Sequence, residues 1–368
     1  MADLDSNTDH EHAPTETPRA DAAPRWPMLF RFFAVGVPVI AGLIAAVTIL
    51  VQRNWVVIDR QSGDIRLQKP PLYLQETGSE LTGHKYLYDE LLGWKNIPDW
   101  KATTHNRQLT INSKGLRDRE YQYDKPDGVR RILVLGDSYA WGYGVADDEV
   151  FTEVLEKRLA GDRWQVINSG VSGWGTDQEY LFLTSEGFRY APDVVVLAFF
   201  FFNDLQNNSS SIQYGLYKPV FLDDGFQPSN VPVPRPGSGR PELYTEASPV
   251  EITAKLIYRL ADVCQNHNCR LIVMKFGSFL EPDNLALQAD GAAMREYLID
   301  HANMNYLDLD AEFSAHHASV TSLVEGNLDG HWNIFGHRLT ANIIHDFLTR
   351  SGYVDFDSPQ VLPLSNEE

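Results

Sequence analysis

Ser138 stands where a nucleophile could act. It lies in the stretch Arg131–Gly144, RILVLGDSYAWGYG. The apolar run Ile132–Leu135, bounded by Gly136, reads as a fully buried parallel strand. A serine just past the C-terminal end of such a strand sits where open α/β sheets bind their ligands. If a helix follows, the serine also lies near its positive N-terminal end, which favours developing negative charge. The chemistry would be acyl transfer. That reaction needs a nucleophile, a base to take its proton, and donors for the oxyanion. The same turn is equally compatible with Asp137 and Ser138 doing no more than capping a helix. This stretch alone leaves both readings open.

Three further stretches bear on the choice. They are Asn168–Gln178 (NSGVSGWGTDQ), Phe201–Asp204 (FFND) and Leu328–His337 (LDGHWNIFGH). Together with Arg131–Gly144, where GDSY stands for GDSL, they resemble the four blocks of the SGNH/GDSL hydrolases in the family's order. The segment Ile111–Tyr121, INSKGLRDREY, resembles a lead-in of membrane-linked members. The resemblance covers about residues 130–350. It implies a three-layer α/β/α flavodoxin-like fold with a parallel sheet, and an ester hydrolase. Two departures stand out. The glycine that usually opens the third block is Phe201 here. Asp329 and His331 are two residues apart, where three is the usual spacing.

On this resemblance Ser138 is the nucleophile, His331 the base and Asp329 the residue that orients it. His331 follows the fifth strand and precedes the last helix, a junction that returns to the Ser138 edge of a parallel sheet. Asp329 could fix the imidazole tautomer, as in a Ser-His-Asp triad. The oxyanion donors would be the backbone N–H of Ser138, the backbone N–H of Gly173 and the side-chain amide of Asn203. Glycine allows close backbone approach, and an amide NH2 is a neutral, directional donor. Asp137 and Asp204 read as structural. His331, His337, Asp329, His316 and His317 fit no compact metal-ligand set, and no cofactor is expected.

The elements that must position these residues alternate from Arg131 onward. Strands are expected at Arg131–Leu135, Gln165–Asn168, Asp193–Phe200, Arg270–Phe276 and Tyr306–Leu309. Helices are expected at Asp148–Leu159, Gln178–Glu186 (capped by Thr176 or Asp177), Val250–Asn266, Ala292–Ala302 and Phe335–Arg350. That alternation implies a parallel sheet covered on both faces. Leu205–Ser248 breaks the pattern and is too long for an ordinary connection. It reads either as a wall beside the site or as a surface loop. Leu91–Trp100, LLGWKNIPDW, reads as aromatics that pin an N-terminal extension (53–125) onto the main domain (126–352).

The chain has 368 residues and a formal net charge of −19, with 43% hydrophobic residues. That balance is ordinary for a globular protein and argues against nucleic acid as a partner. Residues 1–31 form an acidic leader whose first 26 residues have the composition of a disordered tail. Phe32–Val51 then gives 20 residues without a charge, about the ~20 needed for a transmembrane helix. A cleaved signal peptide fits less well after so long a leader. Arginines and lysines flank the span on both sides, so the positive-inside rule does not orient it. By similarity to anchored relatives the catalytic domain is expected outside the cytoplasm. Trp55–Leu67 alternates like a short strand or hairpin. Residues 353–368 read as a tail. Cys264 and Cys269 form no zinc pattern, and a short-loop disulfide between them stays open.

The leading reading is thus a membrane-anchored serine esterase acting on acyl groups of a carbohydrate or lipid. An O-acyltransferase acting on an envelope or secreted polysaccharide would use the same residues. A membrane-tethered binding or assembly protein on an inactive hydrolase fold is the non-enzymatic alternative.

Overall fold

A computed structural model describes residues 36–52, 56–58, 65–67, 73–74, 86–104, 107–159, 163–222, 227–280, 284–299, 304–327 and 330–353. The acidic leader 1–31, nearly all of the tail 353–368 and Asp329 lie outside these residues. The chain forms two compact units, Met1–Pro71 and Leu72–Glu368.

In the first unit, the apolar span is described from residue 36. It is a helix, α1 (Val37–Gln52), of 16 residues. Val39, Leu43 and Ile44 on it are all more than half exposed. At ~1.5 Å per residue it is about 24 Å long, short of the ~30 Å hydrocarbon core. Among the described residues no helix is long and apolar enough to cross a membrane. The alternation after it forms an antiparallel hairpin, β1 (Val56–Ile58) with β2 (Ile65–Leu67).

The second unit begins with short antiparallel pieces, β3 (Tyr73–Leu74), β4 (Tyr86–Asp89) and β5 (Gly93–Lys95), then the pair β6 (Lys101–Thr104) and β7 (Arg107–Thr110). The main sheet follows. Its strands are β8 (Arg130–Gly136), β9 (Trp164–Asn168), β10 (Val194–Phe200), β13 (Arg270–Phe276) and β14 (Met304–Asp308), with a small hairpin, β11 (Ile212–Gln213) and β12 (Leu216–Tyr217), between β10 and β13 along the chain. All neighbours pair parallel, in the order β14-β13-β10-β8-β9. Counted within the sheet this is 2-1-3-4-5, the flavodoxin-like winding. Its switch point lies between β8 and β10, where such sheets bind ligands.

Both sheet faces are covered, which is why the strands read as unbroken apolar runs. Leu133 and Leu135 of β8 face one core, with Ile167, Val195, Leu197, Trp94 and Trp174. Ile132 and Val134 face the other, with Val194, Val196, Tyr139, Trp332 and Leu339. Helices Thr176–Ser185 and Pro249–Asn266 supply the first face. Helices Phe151–Arg158 and Ile334–Arg350 supply the second.

Differences from the expected elements have local causes. The helix after β8 is a single turn, Ser138–Trp141, ended by Gly142 in the left-handed region. Its dipole is therefore confined to its own few N–H groups. The next helix starts at Phe151, behind a 3-10 turn at Asp147–Glu149. The cap of Thr176–Ser185 is Gly175, whose N–H donates to the Gln178 side chain at 3.2 Å. The helix expected at Ala292–Ala302 runs instead over Leu285–Ile299. Cys264 and Cys269 are buried and unbridged.

Candidate active site

Ser138 opens its helical turn directly past β8 and is 8% exposed. Asp137 caps that turn by accepting the N–H of Tyr139 at 2.9 Å. The cap is thus Asp137, and Ser138 is the first residue of the turn. Facing the serine is His331, whose Nε2 lies 2.7 Å from Ser138 Oγ. That is hydrogen-bond distance for proton transfer to a base.

The imidazole is held by rings and by its loop. Tyr139 and Tyr143 flank it, with centroids at 4.7 and 4.6 Å. Tyr139 also donates its hydroxyl to Gly330 O at 2.9 Å. Asn327 donates to Tyr143 O at 2.9 Å and to Trp332 O at 2.7 Å, tying the histidine loop to the serine segment.

The histidine that meets Ser138 is His331, not His337. His337 is buried in the last helix, and its Nδ1 accepts the N–H of Phe151 at 3.3 Å. Burial, then the nearby Arg117 charge, lowers its pKa to about 3, so it stays neutral. His316 is exposed and bonds its own helix through Glu312 O at 2.9 Å. Among the described residues no group of three or more His, Cys, Asp or Glu side chains is placed to hold a metal ion.

The loop after β9 is built to approach the serine turn. Asn168 donates its amide to Ala140 O at 2.8 Å and accepts the Gly170 N–H at 2.9 Å. A Cβ on Gly170 would lie 2.5 Å from Trp141 N, so only glycine allows this approach. Gly173 follows with φ +80. Trp94 pins this loop by donating to Ser172 O at 3.1 Å, and Trp174 donates back to Trp94 O at 2.9 Å. These two bonds tie the segment 91–100 to the Gly173 loop.

Asn203 lies inside a short helix, Phe201–Asn207, that continues directly from β10. Its amide donates to Asp137 Oδ2 at 3.0 Å. Phe201, the departure from the usual glycine, is fully buried in the core beside Phe199, ring centroids 5.9 Å apart.

Beneath these donors lies a buried acidic cluster. Burial, opposed by bonds from Tyr139 and Asn203, raises the Asp137 pKa to about 6. Glu179 and Asp204 are fully buried, and among the described residues the carboxyl oxygens of Glu179 have no hydrogen-bond partner. Burial pushes both well above the usual carboxylate range, with repulsion from Asp137 and Asp177 adding to it and, for Asp204, from Glu179 as well. Asp177 is also raised by burial, and it pairs with the fully buried Lys218.

Several supports were not read from the sequence. Arg117 is buried and donates to Trp141 O at 2.9 Å and Val145 O at 2.6 Å. Asp118 accepts the Asn168 N–H at 2.8 Å. The only signal for them was the INSKGLRDREY resemblance. Tyr139, Tyr143 and the Asp137–Asn203 bond carried no signal, because each depends on contacts across the fold.

The five-stranded parallel sheet has the α/β fold that the resemblance implies, and Ser138 and His331 meet at its switch point. No family model matches the chain, and no curated protein matches it. Among solved structures it is similar to a lipase/acylhydrolase from Enterococcus faecalis, at 18% identity over 63% of this chain and 100% of that one, TM-score 0.40. It is similar to the α/β hydrolase LAE5 from the metagenome of Lake Arreo, Spain, at 17% identity over 64% and 99%, TM-score 0.41. It is also similar to a putative lipolytic protein of the G-D-S-L family from Desulfitobacterium hafniense, at 12% identity over 59% and 98%, TM-score 0.34.

Proposed function

We propose that this protein is an SGNH-type serine esterase working through an acyl-enzyme on Ser138. One observation carries the reading: the 2.7 Å bond between His331 Nε2 and Ser138 Oγ, at the switch point of the sheet. In the first half-reaction Ser138 Oγ attacks the ester carbonyl carbon as its proton passes to His331 Nε2. This requires the tautomer protonated at Nδ1. The oxyanion is met by the N–H groups of Ser138 and Gly173 and the amide of Asn203. The C–O bond to the alcohol then breaks, and His331 returns its proton to the departing oxygen. Water repeats the sequence on the acyl-enzyme and releases the acid.

In this reading Asp329 orients His331 through Nδ1, and Phe32–Val51 anchors the protein in a membrane with the catalytic unit outside the cytoplasm. The apolar, exposed surface of α1 supports the anchor. The ester is an acyl group carried by a carbohydrate or lipid. The test is hydrolysis of an aryl acetate by the full-length protein. Turnover that disappears in Ser138→Ala supports the reading. Slow hydrolysis that speeds up when a sugar acceptor is added would reassign the protein as an O-acyltransferase.

A further inference from the structure

We propose that Tyr214 closes the acyl side of this site and confines the enzyme to esters of short acyl groups. The proposal rests on the serine-esterase reading above. It begins from the two faces of the sheet. His331 packs against Tyr139 at a tilt, and Tyr139 packs with Trp332, Ile132 and Val134 on one face. The Gly173 loop is flanked by Val171 and Trp174, which pack with Leu133, Leu135 and Trp94 on the other. His331 must hand its proton to the departing alcohol oxygen. The alcohol therefore lies on the His331 side of the trapped carbonyl. The oxyanion takes the direction of the Ser138, Gly173 and Asn203 donors, so the acyl substituent leaves on the remaining side, away from His331 and over the Gly173 loop.

Tyr214 stands on that side. A Cβ at Gly173 would be 2.8 Å from Tyr214 Cε2 and 3.0 Å from Cδ2, so the ring rests on the Gly173 backbone. The ring is half-buried. It sits at the tip of a hairpin, β11 (Ile212–Gln213) with β12 (Leu216–Tyr217), whose two turn residues are Tyr214 at φ 50 and Gly215 at φ 74. Two positive φ values are the signature of a type I′ turn, which favours Asn-Gly. A bulky aromatic is strained there, and an outlier of that kind points towards function.

The hairpin is also fastened in place. Lys218, the residue after β12, is fully buried and ion-paired to Asp177, four residues past Gly173. Its ammonium also donates to Asn207 O at 2.8 Å and Pro219 O at 3.0 Å. Its backbone N–H donates to Ser211 O at 2.9 Å. Breaking a buried pair of this kind leaves an uncompensated charge, so the pair fixes the hairpin against the Gly173 loop. A fixed wall sets a fixed pocket depth.

The experiment is kcat/KM for p-nitrophenyl acetate, butyrate and octanoate, with full-length wild type and Tyr214→Asn. Asparagine suits the turn and removes the ring. Wild type is expected to prefer acetate, and the variant to raise the octanoate-to-acetate ratio about tenfold or more. Tyr214→Ala is expected to do the same. A ratio within about twofold of wild type in both variants overturns the proposal. So does a changed preference among acetates of different alcohols with none among acyl chains, which would put the ring on the alcohol side. If wild type hydrolyses no ester and Ser138 takes up no fluorophosphonate, the esterase reading fails and this proposal with it. A labelled Ser138 with unchanged chain-length preference defeats this proposal alone.

Discussion

Asn203 donates its side-chain amide to Asp137 at 3.0 Å. The same carboxylate accepts the N–H of Tyr139, one residue past Ser138, at 2.9 Å. One buried side chain therefore ties the serine turn to the proposed oxyanion amide. Asn203→Ala is expected to lower kcat about 10²–10³-fold with little change in KM. Asp137→Asn sets an NH2 group or a weaker acceptor against that amide and should also lower kcat. The double mutant tests the link. If Asp137 acts by aiming Asn203, Asp137→Asn will cost much less in the Asn203→Ala background than in wild type. Additive losses in kcat would show that the two residues act separately.

The pH dependence should run one way. His331 accepts a proton only when neutral, and Asp137 accepts the Asn203 amide best when ionised. With Asp137 raised to about 6, activity is expected to fall as pH drops through that region. The carboxyls of Glu179 and Asp204, which interact with Asp137, are themselves raised, first by burial. If Asp329 orients His331, Asp329→Asn will lower kcat and move the acidic limb to lower pH, because an imidazole without a carboxylate partner is less basic. A mild Asp329→Asn beside a severe His331→Ala would instead describe a Ser-His dyad.

Much of this site was legible in the chain. The apolar runs became the five parallel strands, since a strand buried on both faces must be apolar throughout. Ser138, Gly173, Asn203 and His331 each fall past a strand or before the last helix, so their order along the chain already placed them at one sheet edge. What stayed hidden depends on contacts across the fold. Nothing near Asp137 announces Asn203 as its partner. The run Leu205–Ser248 has no period from which a hairpin tip at Tyr214 could be placed. Lys218 reads as a surface lysine until the fold buries it beside Asp177.

The buried acids should make stability depend on pH. The carboxyl of Asp204 is raised well above its ordinary value by burial and by Glu179. A group raised in the folded state stabilises that state fully below its unfolded pKa. That contribution is lost as pH rises from about 4 towards the folded value. Asp204→Asn removes this dependence. Its Tm relative to wild type is therefore expected to be higher at pH 8 than at pH 5, by thermal scanning at both. An equal difference at the two values would mean that Asp204 is ionised in the folded protein, with a partner.

The proposed anchor is separable from the chemistry. Full-length protein is expected to stay with the membrane fraction after alkaline carbonate, and protein lacking residues 1–54 to be released. Full-length protein in the soluble fraction would remove the anchor and leave the active-site reading untouched.

The most direct measurement is the covalent state of Ser138. Folded full-length protein treated with a fluorophosphonate should gain one adduct by intact mass, mapped by peptide analysis to Ser138. His331→Ala should slow that labelling nearly as much as it slows ester turnover, because nucleophile and base act as a unit. A folded protein that stays unlabelled at Ser138, or labels as fast in His331→Ala as in wild type, would contradict the 2.7 Å Ser138–His331 pair as a working nucleophile and base.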